Sequence, residues 1–227
     1  MPLGIPKVPY SRFPEDEPTW ISIYERLYKE RVLFLCKEIK NIFASRFIRL
    51  LLQLDLETDI YDDTDDHNDI SIYINSRGGG AEAAISIYDT MKYIVPDVST
   101  INLGLAASGA SLILAGGTIT KRLALPKAKV MIHQPKVMIH RPRRRIIPVK
   151  KKVKKKKRLS SLIIKREKML KLRNTIADIY AENTGQPVDV IQKDLERDYF
   201  MSATEAQDYG MIDRIIGSKK ENEIKPE

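Results

Sequence analysis

Two short phrases hold most of the chemistry available to this chain of 227 residues. In GLAASGAS, residues 104–111, Ser108 sits among small residues at the expected junction of a strand and a helix. A serine hydroxyl is a weak nucleophile until an imidazole takes its proton, and acyl transfer also needs a carboxylate to hold that imidazole and N–H donors for the oxyanion. At a strand-to-helix junction the hydroxyl can project, and the N–H groups that follow face the charge that develops. The second phrase, KVMIHQPKVMIHRP, residues 129–142, is seven residues written twice with one change, Gln134 to Arg141. It puts two of the three histidines, His133 and His140, at equivalent places. A third phrase, NSRGGG at 75–80, supplies a glycine turn whose backbone can approach a substrate closely. Any one of these is weak alone, since a serine amid Ala and Gly equally suits tight packing.

Several elements must position these phrases. PTWISIYERLYKER, with Trp20, Ile23 and Leu27 at helical spacing, predicts a helix leading into the strand VLFL at 32–35. NIFASRFIRLLLQL is a second amphipathic helix, followed by the acidic loop DLETDIYDDTDDHND at 55–69. Then come the strand ISIYINS, the glycine turn, the helix AEAAISIYDTMKYI, the strand STINLGL, a helix from near Ser108, and the strands KRLAL and AKVMIH. LIIKREKMLKLRNTIADIYAENTG reads as a long helix closed by Gly185, with Leu162, Met169, Leu172, Ile176 and Ile179 on one side. PVDVIQKDLE is a further helix and DYFMS a strand, after which Ser202 and Glu205 form a capping box. The alternation predicts an α/β fold, in one domain over 1–227, with a largely buried sheet.

In chain order, YINSRGGG, IYDTM, GLAASGAS, KRLALPKAKVMIHQP and ERDYFMSATEAQDYG resemble the proteolytic subunits of the Clp protease family, and MPLGIPKVP with MSATEAQ resembles their plastid-encoded branch. The resemblance implies a serine endopeptidase with Ser108 as nucleophile, the histidine of MIHQP as general base and Asp198 as the carboxylate that orients it. The N–H groups of Gly79 and Gly109 would form the oxyanion hole. The implied fold is a crotonase-like spiral of β-β-α units with a protruding handle helix, through which two seven-membered rings of homologous subunits stack into a chamber. An AAA+ unfoldase would spend the ATP and thread unfolded proteins in for cutting to short peptides, so this chain would need no cofactor and no metal. Tyr73, Leu103 and Leu125 would present the apolar pocket on which the unfoldase docks. The implied location is the chloroplast stroma, or a bacterial-type cytoplasm. Two departures fall at the site: Arg77 replaces the family's usual proline, and Gly109 its usual methionine. Ser71 stands where an aromatic residue is common.

Between the two histidines, spacing favours the first. Ser108 and His133 are separated by the family's distance, whereas the stretch from His133 to Asp198 is longer than the family's by roughly fifteen residues, as a duplicated copy plus an expanded loop requires. An insertion of odd length in an extended strand reverses the face on which each side chain lies, and Pro135 interrupts a sheet continuing into the second copy. His140 is then a loop residue.

The formal charge of +9 is local: residues 141–158 hold twelve Lys or Arg and no acid, leaving the remainder net acidic. The duplicated and basic stretch at 136–158 is therefore expected as an insert before the handle helix, either a solvated extension or a surface for an acidic partner. Polycations bind phosphate without specificity, and this run has no interleaved aromatics for stacking, so nucleic acid is the weaker reading. Three other readings compete: a ring subunit silent in catalysis, an acyl-CoA enzyme sharing the spiral, and a membrane span over the uncharged stretch Val98–Thr120. The hydroxyls, Asn102 and four glycines of that stretch favour a buried strand, turn and helix. The chain's opening residues lack the apolar run of a secretory signal. Cys36, the only cysteine, is expected in the core. His67 is expected in solvent, because DDTDDHND lacks the glycine of an EF-hand loop. Ser111 is expected to be packing or a helix-internal hydroxyl.

Overall fold

A computed structural model describes residues 4–11, 17–61, 69–135 and 152–217; the acidic stretch with His67 and the second copy with His140 lie outside these. The chain starts with an antiparallel pair, β1 (Lys7–Tyr10) and β2 (Thr19–Ser22). Helix α1 (Ile23–Lys29) leads to β3 (Val32–Leu35), and α2 (Asn41–Tyr61) to β4 (Ile70–Ser76). Helix α3 (Ala81–Tyr93), β5 (Val98–Ala107), α4 (Gly109–Ala115), β6 (Arg122–Ala124) and β7 (Lys129–Ile132) follow. The remainder comprises α5 (Lys152–Thr184), α6 (Val188–Asp194), β8 (Tyr199–Ser202), α7 (Ala203–Asp208) and β9 (Arg214–Ile215).

Strands β3, β4, β5, β6 and β9 lie side by side in parallel, with β7 and β8 branching from β5. Period-two alternation sets which face is buried: Ile70, Ile72 and Ile74 of β4 turn into the core, where α2, α3 and α4 supply Leu51, Ile87 and Ile113. The uncharged stretch 98–120 is thus β5, α4 and a turn, and among the described residues no helix is long and apolar enough to cross a membrane.

Three expectations change. Trp20 is on β2 and exposed, because Ser22 accepts the Glu25 N–H at 3.1 Å and starts α1 one turn later than the apolar spacing suggests. Cys36 is exposed, because Leu33 and Leu35 take the inward positions and leave Phe34 and Cys36 facing out. The acidic segment begins as helix: α2 continues through Asp55 to Tyr61, with Arg31 donating to Leu54 O at 3.0 Å and Thr58 Oγ1 at 2.8 Å.

A buried ion pair closes the far side of the sheet. Arg122 on β6 donates to Asp213 through Nε at 3.0 Å and Nη2 at 2.5 Å, and through Nη1 to the carbonyls of Asn183 and Gly210. Burial pushes the Asp213 carboxyl up, but the side-chain and backbone hydrogen bonds from Arg122, with its charge, leave it below the ordinary carboxylate range. The folded value lies below the unfolded one, so this stabilisation is complete above the ordinary range and is lost as pH falls through the lowered value. Asp213→Asn is expected to cost about 3 kcal/mol in urea unfolding at neutral pH, because Arg122 stays buried without its counter-charge. The variant's deficit should shrink as the medium is acidified.

Candidate active site

The site is assembled at the ends of three adjacent strands. Strand β5 changes partners along its length: Thr100–Asn102 pair with β6, and Leu105–Ala107 pair with β7. Buried Asn102 eases the change, donating through Nδ2 to Lys129 O at 3.0 Å and accepting the Gly104 N–H at 3.2 Å. Strand β7 in turn pairs antiparallel with β8, Ile132 opposite Tyr199. One residue beyond each pairing lie Ser108 after β5, His133 after β7 and Asp198 before β8. His133 Nδ1 is 3.1 Å from Asp198 Oδ1, the imidazole side chain 14% exposed and the carboxylate 48%.

Ser108 has φ 56° and ψ −125°, a conformation disfavoured for any residue with a Cβ. Its N–H donates to Met131 O at 2.8 Å, which fixes the turn against β7 as α4 begins. Ser108, His133, Gly79 and Gly109 all line one cleft of about 630 Å³, whose wall includes Met169, Leu172 and Ile176 of α5. These three belong to the stripe expected on that helix; the side chain of Leu162 lies outside the described ones.

The glycine turn is strapped beside Ser108. Ser76 Oγ accepts the Gly78 N–H at 3.0 Å and donates to Lys37 O, while Ile39 bonds Gly78 O and Gly80 N. Gly78 has φ +80°, and a Cβ there would stand 2.2 Å from Ala107 O. The Gly79 and Gly109 backbones converge, since a Cβ on Gly109 would lie 3.8 Å from Gly79 N. Among the described residues neither N–H donates to an acceptor within the chain.

Tyr73, Leu103 and Leu125 fall on the outer face of the same sheet and are partly exposed. Tyr73 stacks on Phe34 at 5.5 Å, and Leu125 also packs against core residues. Phe34 was not singled out in the strand VLFL, where alternation turns it outward between buried Leu33 and Leu35. Ser111 is the buried helix-internal hydroxyl that was expected, donating to Ser108 O, but its partner Tyr180 was missed. The available signal was a tyrosine within the apolar stripe of α5, whose hydroxyl needs a partner once buried.

The profile of the Clp protease family matches residues 14–219. The chain belongs to the Clp protease family. It is 44% identical over 215 residues to an ATP-dependent Clp protease proteolytic subunit of Vitis vinifera, covering 95% of this chain and 98% of that protein. The chloroplastic ATP-dependent Clp protease proteolytic subunit 1 of Arabidopsis thaliana is 43% identical over 95% of this chain and 98% of its own length. A proteolytic subunit from Anthoceros angustus is 42% identical over 99% of both chains. The mixed α/β sheet with its long α5 is the Clp protease fold. Of the two departures from the family pattern, Gly109 has a packing reason: a Cβ there would meet Ala84 Cβ at 2.7 Å, so glycine lets α4 lie close on α3. Arg77 lines the rim of the cleft and is exposed.

Proposed function

We propose that this Clp protease family chain is a proteolytic subunit that hydrolyses peptide bonds through an acyl-enzyme on Ser108. His133 Nε2 takes the Ser108 proton as Oγ adds to the scissile carbonyl, then gives it to the leaving amine. Asp198 holds the imidazole with Nδ1 protonated and stabilises the imidazolium that forms. The Gly79 and Gly109 N–H groups receive the oxyanion. Water, activated by the same imidazole, then adds to the ester carbonyl, and its collapse releases the acid and restores Ser108. The observation that carries this reading is the 3.1 Å contact of Asp198 with His133, which lines the same cleft as Ser108.

The wider assignment follows from the family and the relatives' names. The chain forms one peptidase domain, with insertions at 55–69, which opens on the end of α2, and at 136–158, whose last residues already belong to α5, and works in seven-membered rings stacked in pairs through α5. Unfolded polypeptides are delivered by an AAA+ unfoldase that docks on the apolar face of Phe34, Tyr73, Leu103 and Leu125. That partner uses the ATP, and the chain itself takes neither cofactor nor metal. The relatives support a chloroplast location, and the stroma is the compartment proposed. The test is a fluorophosphonate probe followed by peptide mapping. The adduct is expected on Ser108; a chain that stays unlabelled, or carries the adduct on another serine, defeats the assignment.

A further inference from the structure

A pair of buried hydroxyls lies beneath the nucleophile's turn and ties it to α5. Ser111 is fully buried, and its Oγ is 2.6 Å from Ser108 O, 2.9 Å from Met131 O and 2.9 Å from the Tyr180 hydroxyl. Tyr180 is 2% exposed, and its oxygen is also 3.5 Å from Ser108 O. Four oxygens thus share two protons, and carbonyls only accept. If Ser111 donated to Tyr180, both short contacts from Ser111 to carbonyls would set lone pairs against each other. Tyr180 therefore donates to Ser111 Oγ, and the Ser111 proton serves the two carbonyls. Burial raises the Tyr180 hydroxyl above the ordinary tyrosine range, outweighing the lowering by its Ser111 bond, so it remains a donor at working pH.

The consequence is geometric. Met131 O already receives the Ser108 N–H, so this cluster holds the backbone of residue 108 at both its nitrogen and its carbonyl. Met131 stands two residues before His133 on the same strand. The disfavoured φ of Ser108 needs such restraint, because strained conformations persist only where their surroundings over-determine them. We propose that Ser111 and Tyr180 are positioning residues of the peptidase reaction, holding the Ser108 turn at the height where its hydroxyl meets His133; this rests on the serine peptidase assignment above. Neither hydroxyl touches the reacting atoms, and the effect runs through the peptide groups on either side of the nucleophile.

The test compares fluorophosphonate labelling kinetics of the parent, Tyr180→Phe, Ser111→Ala and the double variant, each assembled with its ring partners. Tyr180→Phe removes one oxygen and keeps the ring that lines the cleft, so it decides alone if Ser111→Ala fails to assemble. Each single change is expected to lower the maximal labelling rate about tenfold with probe affinity within about twofold, as misplacement of a reacting group does. The double variant should be no slower than the worse single one, because the two hydroxyls act as one unit. Maximal rates within twofold of the parent in the single variants, or losses that multiply in the double variant, overturn the proposal. A parent that takes no label removes the peptidase assignment and this proposal with it, whereas a labelled parent with unaltered variants removes only the positioning role.

Discussion

His133→Ala is expected to slow hydrolysis of a short fluorogenic peptide roughly a million-fold, as much as Ser108→Ala, while His140→Ala leaves it within about twofold. The two histidines share the local phrase KVMIH, so composition and hydropathy treat them alike. What separates them is register. Ile132 pairs with Tyr199, and in an antiparallel ladder the next residue of one strand meets the previous residue of the other, which brings His133 to Asp198. The first copy is then locked there: Gln134 N donates to Leu195 O at 2.7 Å, and Gln134 Nε2 to Glu196 O at 3.3 Å. In the second copy the residue matching Gln134 is Arg141. Removing the general base leaves Ser108 protonated, and the remaining rate comes from substrate binding and the oxyanion donors alone. Full activity in His133→Ala, or an inactive His140→Ala, would transfer the general-base role to the second copy.

Asp198→Asn comes next in size. It is expected to lower kcat about ten-thousandfold with KM little changed, because the amide permits the wrong tautomer of His133 and cannot stabilise the imidazolium. The side chain keeps its size, so packing around β8 is preserved and the loss falls on chemistry alone. Steady-state kinetics on the assembled particle would read the split. A variant that keeps kcat within tenfold of the parent would mean that Asp198 does not orient the base.

Much of the fold is legible because its signals are local. The isoleucines of β4 alternate with period two, the apolar stripe of α5 ends in buried Ile176 and Ile179, and Ser202 with Glu205 forms the expected capping box. The errors have local causes as well. Trp20 matched a helical spacing that Ser22 cuts off, and Cys36 was judged by the hydropathy of its neighbours instead of by the face on which alternation puts it. Gly109 departs from the family's usual methionine for a reason that lies in packing against Ala84.

The types of residue able to do acyl transfer, the strand-to-helix junction that exposes Ser108, and the family were determined by the sequence, since each depends on identity and short-range order. The meeting of His133 with Asp198, 65 residues apart, was decided by the tertiary structure. So were the convergence of the Gly79 and Gly109 backbones and the contact of Tyr180 with Ser111 across 69 residues. The physical reason is that β5 exchanges one partner strand for another part-way along, and the pairing of β7 with β8 runs antiparallel. Register between distant strands is set by packing of the whole sheet, so spacing could favour His133 over His140 but could not bring it to Asp198.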